Sequence, residues 1–156
     1  MKNEVDDQMD LMLRSHTERC LQEIWEQPGL IVDDDGDYPF RYGTAMCWVR
    51  VGKAPEQEVR VFAQAAYGLK SSAKLLSELN EVNARSRWVR VYLEGGFIVV
   101  SGALHWTTVG RPALDHLIRA TREVADDIGT MVATVYGGAT PFEPCVDEHA
   151  EPGEAA

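Results

Sequence analysis

The sequence predicts an α+β domain, an antiparallel sheet packed by helices in the order α-β-β-β-α-β-β-α. Three observations predict it. Short runs of alternating apolar and polar residues recur between turn residues, the pattern of two-faced strands. Three longer stretches carry apolar residues at helical spacing. Every long strand also divides in the same way, with aliphatic residues on one parity and aromatics with arginines on the other. Strands joined by short turns, with helices that must each bury an apolar stripe, make a sheet covered by helices.

The first helix is predicted over residues 7 to 27, where Met9, Met12, Leu13, Cys20, Leu21, Ile24 and Trp25 follow the 3.6-residue repeat until Pro28-Gly29 stops it. LIVDD and YPFRY then flank Asp35-Gly36, a dipeptide suited to a two-residue hairpin turn. Pro39 assigns the second of these arms to an edge strand. GTAMCWVRV (43–51) and EVRVFAQAA (58–66) form a second hairpin through the loop GKAPEQ. Ser71 or Ser72 caps a second helix bearing Leu75, Leu79 and Val82 and ending near Arg87. WVRVYL and IVVSGAL, joined through Gly95-Gly96, make the third hairpin, with Leu93 opposite Ile98, Val91 opposite Val100 and Val89 opposite Gly102. Pro112 suits the first turn of a last helix with the stripe Leu114, Leu117, Ile118, Thr121, Val124, Ile128 and Val132. Gly129 weakens it, and Gly137-Gly138 closes it.

The domain organisation read from this is a flexible N-terminus (1–6), a single domain (7–142) and an acidic disordered tail (143–156). Charge is unevenly spread within the net −10. Residues 1–37 hold eleven acids and three bases and residues 143–156 five acids and no base, whereas residues 38–142 hold nine acids and twelve bases. Acidic ends around a slightly basic middle argue against nucleic-acid binding. No apolar run is long enough for a membrane span, the acidic start MKNEVDDQMD does not read as a secretory signal, and Cys20, Cys47 and Cys145 read as reduced thiols. A cytoplasmic protein is expected.

Parity gives the sheet one face of Ala45, Cys47, Val49, Val59, Val61, Ala63, Ala65, Val89, Val91 and Leu93, suited to the helices. The opposite parity carries Trp48, Arg50, Arg60, Phe62, Trp88, Arg90 and Tyr92. Aromatics supply contact area and arginines directed hydrogen bonds, so these seven residues are the expected partner-binding set.

Other chemistry lacks its motif. In DDDGD (33–37), aligning Gly36 with the glycine of a calcium loop puts Tyr42 at the twelfth position, where a carboxylate is required. Ser101 with His105 or His116 and Asp115 has the residue types of a hydrolase triad, yet VVSGA is not a nucleophile elbow. His16, His105, His116 and His149 have no metal-ligand spacing, and no phosphate-cradling glycine motif is present. His105 is expected to pack or cap the loop before the last helix. No enzyme activity, cofactor or metal is expected.

The element order, the VDDDGDYPFRY segment, the passage LLSELNEVNARSRWVRVYLEGG from helix into strand and the final helix RPALDHLIRATREVADDIG resemble the YbjN-like family and its relatives with the type III secretion chaperone fold, over residues 8 to 136. The resemblance implies a small, commonly homodimeric bacterial α+β domain that binds extended peptide or unfolded segments of a protein client and uses no nucleotide. It also singles out Asn80 and Asn83, with a structural role. The function expected is therefore a non-enzymatic peptide- or protein-binding chaperone-like module. The alternative is a regulatory or structural subunit whose open face a partner occupies permanently.

Overall fold

A computed structural model describes residues 3–144 of the chain. The first two residues, together with Cys145, His149 and the rest of the acidic segment from 145 onward, lie outside the described residues. The order of elements is that expected: α1 (Glu4–Trp25), β1 (Tyr38–Tyr42), β2 (Ala45–Val51), β3 (Glu58–Ala66), α2 (Ala73–Arg85), β4 (Arg90–Glu94), β5 (Phe97–His105) and α3 (Arg111–Tyr136). All pairings are antiparallel, and the five strands lie in the order β1-β2-β3-β5-β4.

α1 begins three residues before Asp7. Glu4, Val5 and Asp6 form its first turn, where Glu4, Asp6 and Asp7 meet the positive end of the helix dipole. It ends at Trp25 because Glu26 turns left-handed and returns its N–H, with that of Gln27, to the Gln22 carbonyl. Leu13, Thr17, Cys20 and Leu21 are its buried residues. Met12, expected in that stripe, is instead 61% exposed.

The hairpin expected at Asp35-Gly36 does not form. LIVDD is not a strand, and β1 pairs with β2 through a two-residue turn at Gly43-Thr44, with Tyr42 opposite Ala45. The reason is local. The Asp33 carboxylate accepts the N–H groups of Asp35 and Asp37, and the Asp33 carbonyl accepts that of Gly36, which closes residues 33–37 on themselves. β1 is an edge strand, as Pro39 requires. The third hairpin has the expected turn and register, with both turn glycines at positive φ and Leu93 opposite Ile98. Its first strand starts at Arg90, so Trp88 and Val89 precede the ladder.

All three helices contribute to one core on the aliphatic side of the sheet, formed with Val49, Val61, Ala63, Val91, Ile98 and Val100. The Ser72 hydroxyl caps α2 by accepting the Leu75 N–H at 3.1 Å. α3 lies closest. A Cβ on Gly129 would stand 2.4 Å from the Ala65 carbonyl oxygen, so this glycine is the point where helix and sheet backbones meet rather than a mere weak spot. Asn83 has the structural role that the resemblance implies. Its amide donates to the Val91 carbonyl (2.8 Å) and accepts the Val91 N–H (2.7 Å), covering the outer edge of β4 as another strand would.

Cys47 is fully buried, and that burial pushes its thiol up to about 12. A raised folded-state value means that the native protein keeps a proton that the unfolded chain releases, so this contribution to stability is whole below the ordinary thiol value and fades as pH climbs. Denaturant melts at stepped pH from about 9 to about 12 should show stability falling, and falling less in Cys47→Ala. Gly129→Ala should cost about 1–3 kcal/mol by overpacking. The thermal midpoint would drop by roughly 2–4 °C for each kcal/mol, and an unchanged midpoint would contradict the close approach.

Candidate functional site

Because every helix packs on the aliphatic side, the other side of the sheet has no element over it among the described residues. Register places its side chains in rows. One row runs Pro39, Trp48, Phe62, Ser101, Arg90; the next runs Arg41, Met46, Gln64, Val99, Tyr92; and Arg50, Arg60 and Ala103 begin a third. With strands about 4.8 Å apart, five strands give a surface about 19 Å across. An extended segment of five or six residues spans that width.

The centre of this face is an aromatic pair. Trp48 and Phe62 stand opposite each other on β2 and β3, with ring centroids 5.3 Å apart and planes inclined by 15°. The Arg50 guanidinium lies 4.8 Å above the Phe62 ring. Its position is set from behind by Asp37, whose buried carboxylate accepts Nε at 2.9 Å and Nη2 at 2.6 Å. Those hydrogen bonds raise the Arg50 pKa further above its ordinary value, so the charge is permanent. Arg60 is held by Glu58 through Nε (3.1 Å) and Nη2 (2.7 Å), an exposed pair.

Of the seven residues expected from the sequence, six share this face: Trp48, Arg50, Arg60 and Phe62 cluster on β2 and β3, while Arg90 and Tyr92 stand on β4 beyond the small side chains of β5. Trp88 does not join them. It precedes β4 and sets its ring edge-on to His116 of α3, with centroids 4.9 Å apart. Strict alternation fails there because the chain is still leaving α2. The set read from parity missed Asp37, Glu58 and Met46. Asp37 was detectable, since it continues the β1 register to the position facing Arg50.

The residues of the hydrolase triad stay apart. Ser101 is on the open face, His116 packs on Trp88, Asp115 pairs with Arg119 on α3, and the His105 Nδ1 accepts the Thr107 N–H at 3.4 Å, capping the 3-10 turn Trp106–Thr108. Two of the four DDDGD acids are engaged: Asp33 holds backbone N–H groups, and Asp37 holds the Arg50 guanidinium.

The chain was compared with known proteins. A family model described as T3SS (YopN, CesT) and YbjN peptide-binding chaperone 1 matches residues 12–144. No curated protein matches. Among solved structures, the ExsC-ExsE complex is similar at a TM-score of 0.60 and 12% identity, with 85% of this chain and 96% of that one covered. The HopA1-SchA chaperone-effector complex is similar at a TM-score of 0.61 and 12% identity, with 76% and 93% covered. These two likenesses are of fold.

The two ion pairs on the face differ in burial, and a double-mutant cycle should separate them. Asp37 with Arg50 is expected to couple by about 1–2 kcal/mol, because removing the arginine strands a buried carboxylate, whereas Glu58 with Arg60 should couple by less than about 0.5 kcal/mol. Equal couplings would mean that Asp37 does not position Arg50.

Proposed function

The chain belongs to the family of T3SS and YbjN peptide-binding chaperones, and on that premise we propose that it binds an extended segment of a protein partner across its open sheet face. The observation that carries this reading is the Trp48–Phe62 stack with Arg50 over it, in the middle of a two-faced sheet whose helices all lie on the other side. Such a surface binds by burial. A client's apolar side chains would cover Trp48, Phe62, Met46 and Tyr92, and Arg50, Arg60 and Arg90 would donate to its carbonyls or carboxylates.

Arg50 and Arg60 enter the contact already oriented by Asp37 and Glu58. That lowers the entropy cost of using them. The likeness to a chaperone-effector complex supports a protein partner. In our reading the protein is a non-enzymatic bacterial chaperone acting in the cytoplasm as a homodimer, with no nucleotide or metal in its cycle. No described helix is long and apolar enough to cross a membrane, and the thiols of Cys20 and Cys47 are free, which suits a reducing compartment.

Affinity capture with the tagged chain identifies the client, after which isothermal titration with client peptides tests the face. Trp48→Ala should weaken binding by about tenfold or more while shifting the denaturation midpoint little. A loss of stability in step with the loss of binding would make Trp48 a structural residue and overturn the assignment.

A further inference from the structure

The corner where α2 hands over to β4 is a separate surface. Residues 84–90, ARSRWVR, hold three arginines and no acid in a chain of net charge −10. Arg14, Arg50, Arg60, Arg111 and Arg119 each meet a carboxylate within 4 Å. Arg87 and Arg90 meet none among the described residues, and neither is used in a hydrogen bond or ring contact there. An acidic protein that leaves two neighbouring arginines without partners keeps them available.

Between them Trp88 is 61% exposed, and its ring is fixed by the edge contact with His116. A cleft of about 450 Å³ opens at this point, lined by Asn80, Ser86, Arg87, Trp88 and Arg90 and by no acidic side chain. The Asn83 amide at its rim is spent on Val91. What remains is mostly donors: two guanidinium groups, an indole N–H, a hydroxyl and the Asn80 amide. Donors that outnumber acceptors in a cationic cleft select an anion, and the guanidinium fork fits a carboxylate in two hydrogen bonds. Trp88 adds an apolar surface for the chain that carries it.

We propose that this α2–β4 corner is a second binding site, which takes an acidic peptide segment of a protein partner. It rests on the peptide-binding reading and shares Arg90 alone with the open face. Arg87 and Arg90 would grip Asp or Glu carboxylates while Trp88 covers an intervening side chain. An acidic segment of a protein suits the corner better than a nucleic acid. The phosphate backbone would bring dense negative charge against a protein of net −10, whereas a short peptide brings a few carboxylates and apolar groups as well.

The test uses the full chain and three fluorescein-labelled probes: a peptide alternating Asp and Glu with Ala and Leu, its Asn/Gln isostere, and a single-stranded oligonucleotide. Anisotropy is read at low and high salt. The acidic peptide should bind about tenfold or more tightly than its isostere, and weaken as salt rises. The double variant Arg87→Ala/Arg90→Ala, both exposed positions whose fold is checked by circular dichroism, should lose that advantage. Arg111→Ala, at an exposed arginine outside both surfaces, should keep that advantage within about twofold. Equal binding of acid and isostere, full binding by the double variant, an equal loss in Arg111→Ala, or an oligonucleotide that displaces the peptide would each overturn the proposal.

Discussion

The contact on which this architecture depends is the seating of α3 on β3. With no Cβ at Gly129 and only methyl groups at Ala63, Ala65 and Ala66, the helix comes down to the sheet backbone, and Leu114, Ile118, Thr121, Ala125 and Val132 are buried along its length. Larger β3 residues would lift the helix and leave a gap between the layers. The Thr121 hydroxyl, buried in this contact, donates to the Leu117 carbonyl in its own helix, so no polar group is stranded. Once α3 occupies the middle of the sheet, α1 and α2 can complete the layer only beside it. The opposite face carries no helix among the described residues, and Phe142 and Glu143 meet it only at Arg41 on its rim.

An open face must remain soluble, and its composition shows how it does. Trp48 and Phe62 sit beside Arg50 and Arg60, with Arg41 and Arg90 on the flanking strands, so charged groups border the rings on both sides. Asp37 and Glu58 keep two of those groups in place. The same arrangement that solvates the free protein offers ordered donors and stacked rings to a partner, so solubility and recognition come from one set of side chains. The two sheet edges are closed differently. β4 gives its outward N–H and C=O at Val91 to Asn83, and β1 is five residues long and includes Pro39, which has no N–H to offer.

Much of this was legible in the sequence because parity is a strict rule inside a strand. The Gly95-Gly96 turn specifies which residues of β4 and β5 face each other, and the stripe of α3 could be read residue by residue. Legibility failed where side chains compete with the backbone or where an element ends. Asp35-Gly36 has the composition of a hairpin turn, but the neighbouring Asp33 carboxylate accepts the N–H groups of Asp35 and Asp37 and closes the loop on itself. Trp88 has the right parity for the open face, yet it lies before the first ladder pair, where the chain leaving α2 sets its direction. Met12 fits the helical repeat, but the repeat alone does not say how wide the buried stripe of α1 is. Asn83 looked like any polar residue on a helix; only the spatial position of β4 makes it an edge cap.

The distribution of paired and unpaired arginines separates two kinds of recognition on one small domain. On the open face Arg50 is committed to Asp37 and Arg60 to Glu58, so neither can give a client its full charge, and binding there is governed by the area of Trp48, Phe62 and Tyr92 that is covered. Burial of that kind tolerates many sequences, because it asks only for apolar side chains on alternate residues. At the α2–β4 corner Arg87 and Arg90 have no internal carboxylate, and what they select is charge. Arg90 stands at the end of the Trp48–Phe62 row as well as in the corner cleft. One client chain could therefore lie across the sheet with an apolar stretch and turn the corner with an acidic one. Breadth would come from the first contact and discrimination from the second, since the acidic stretch must follow at the distance that the sheet width dictates.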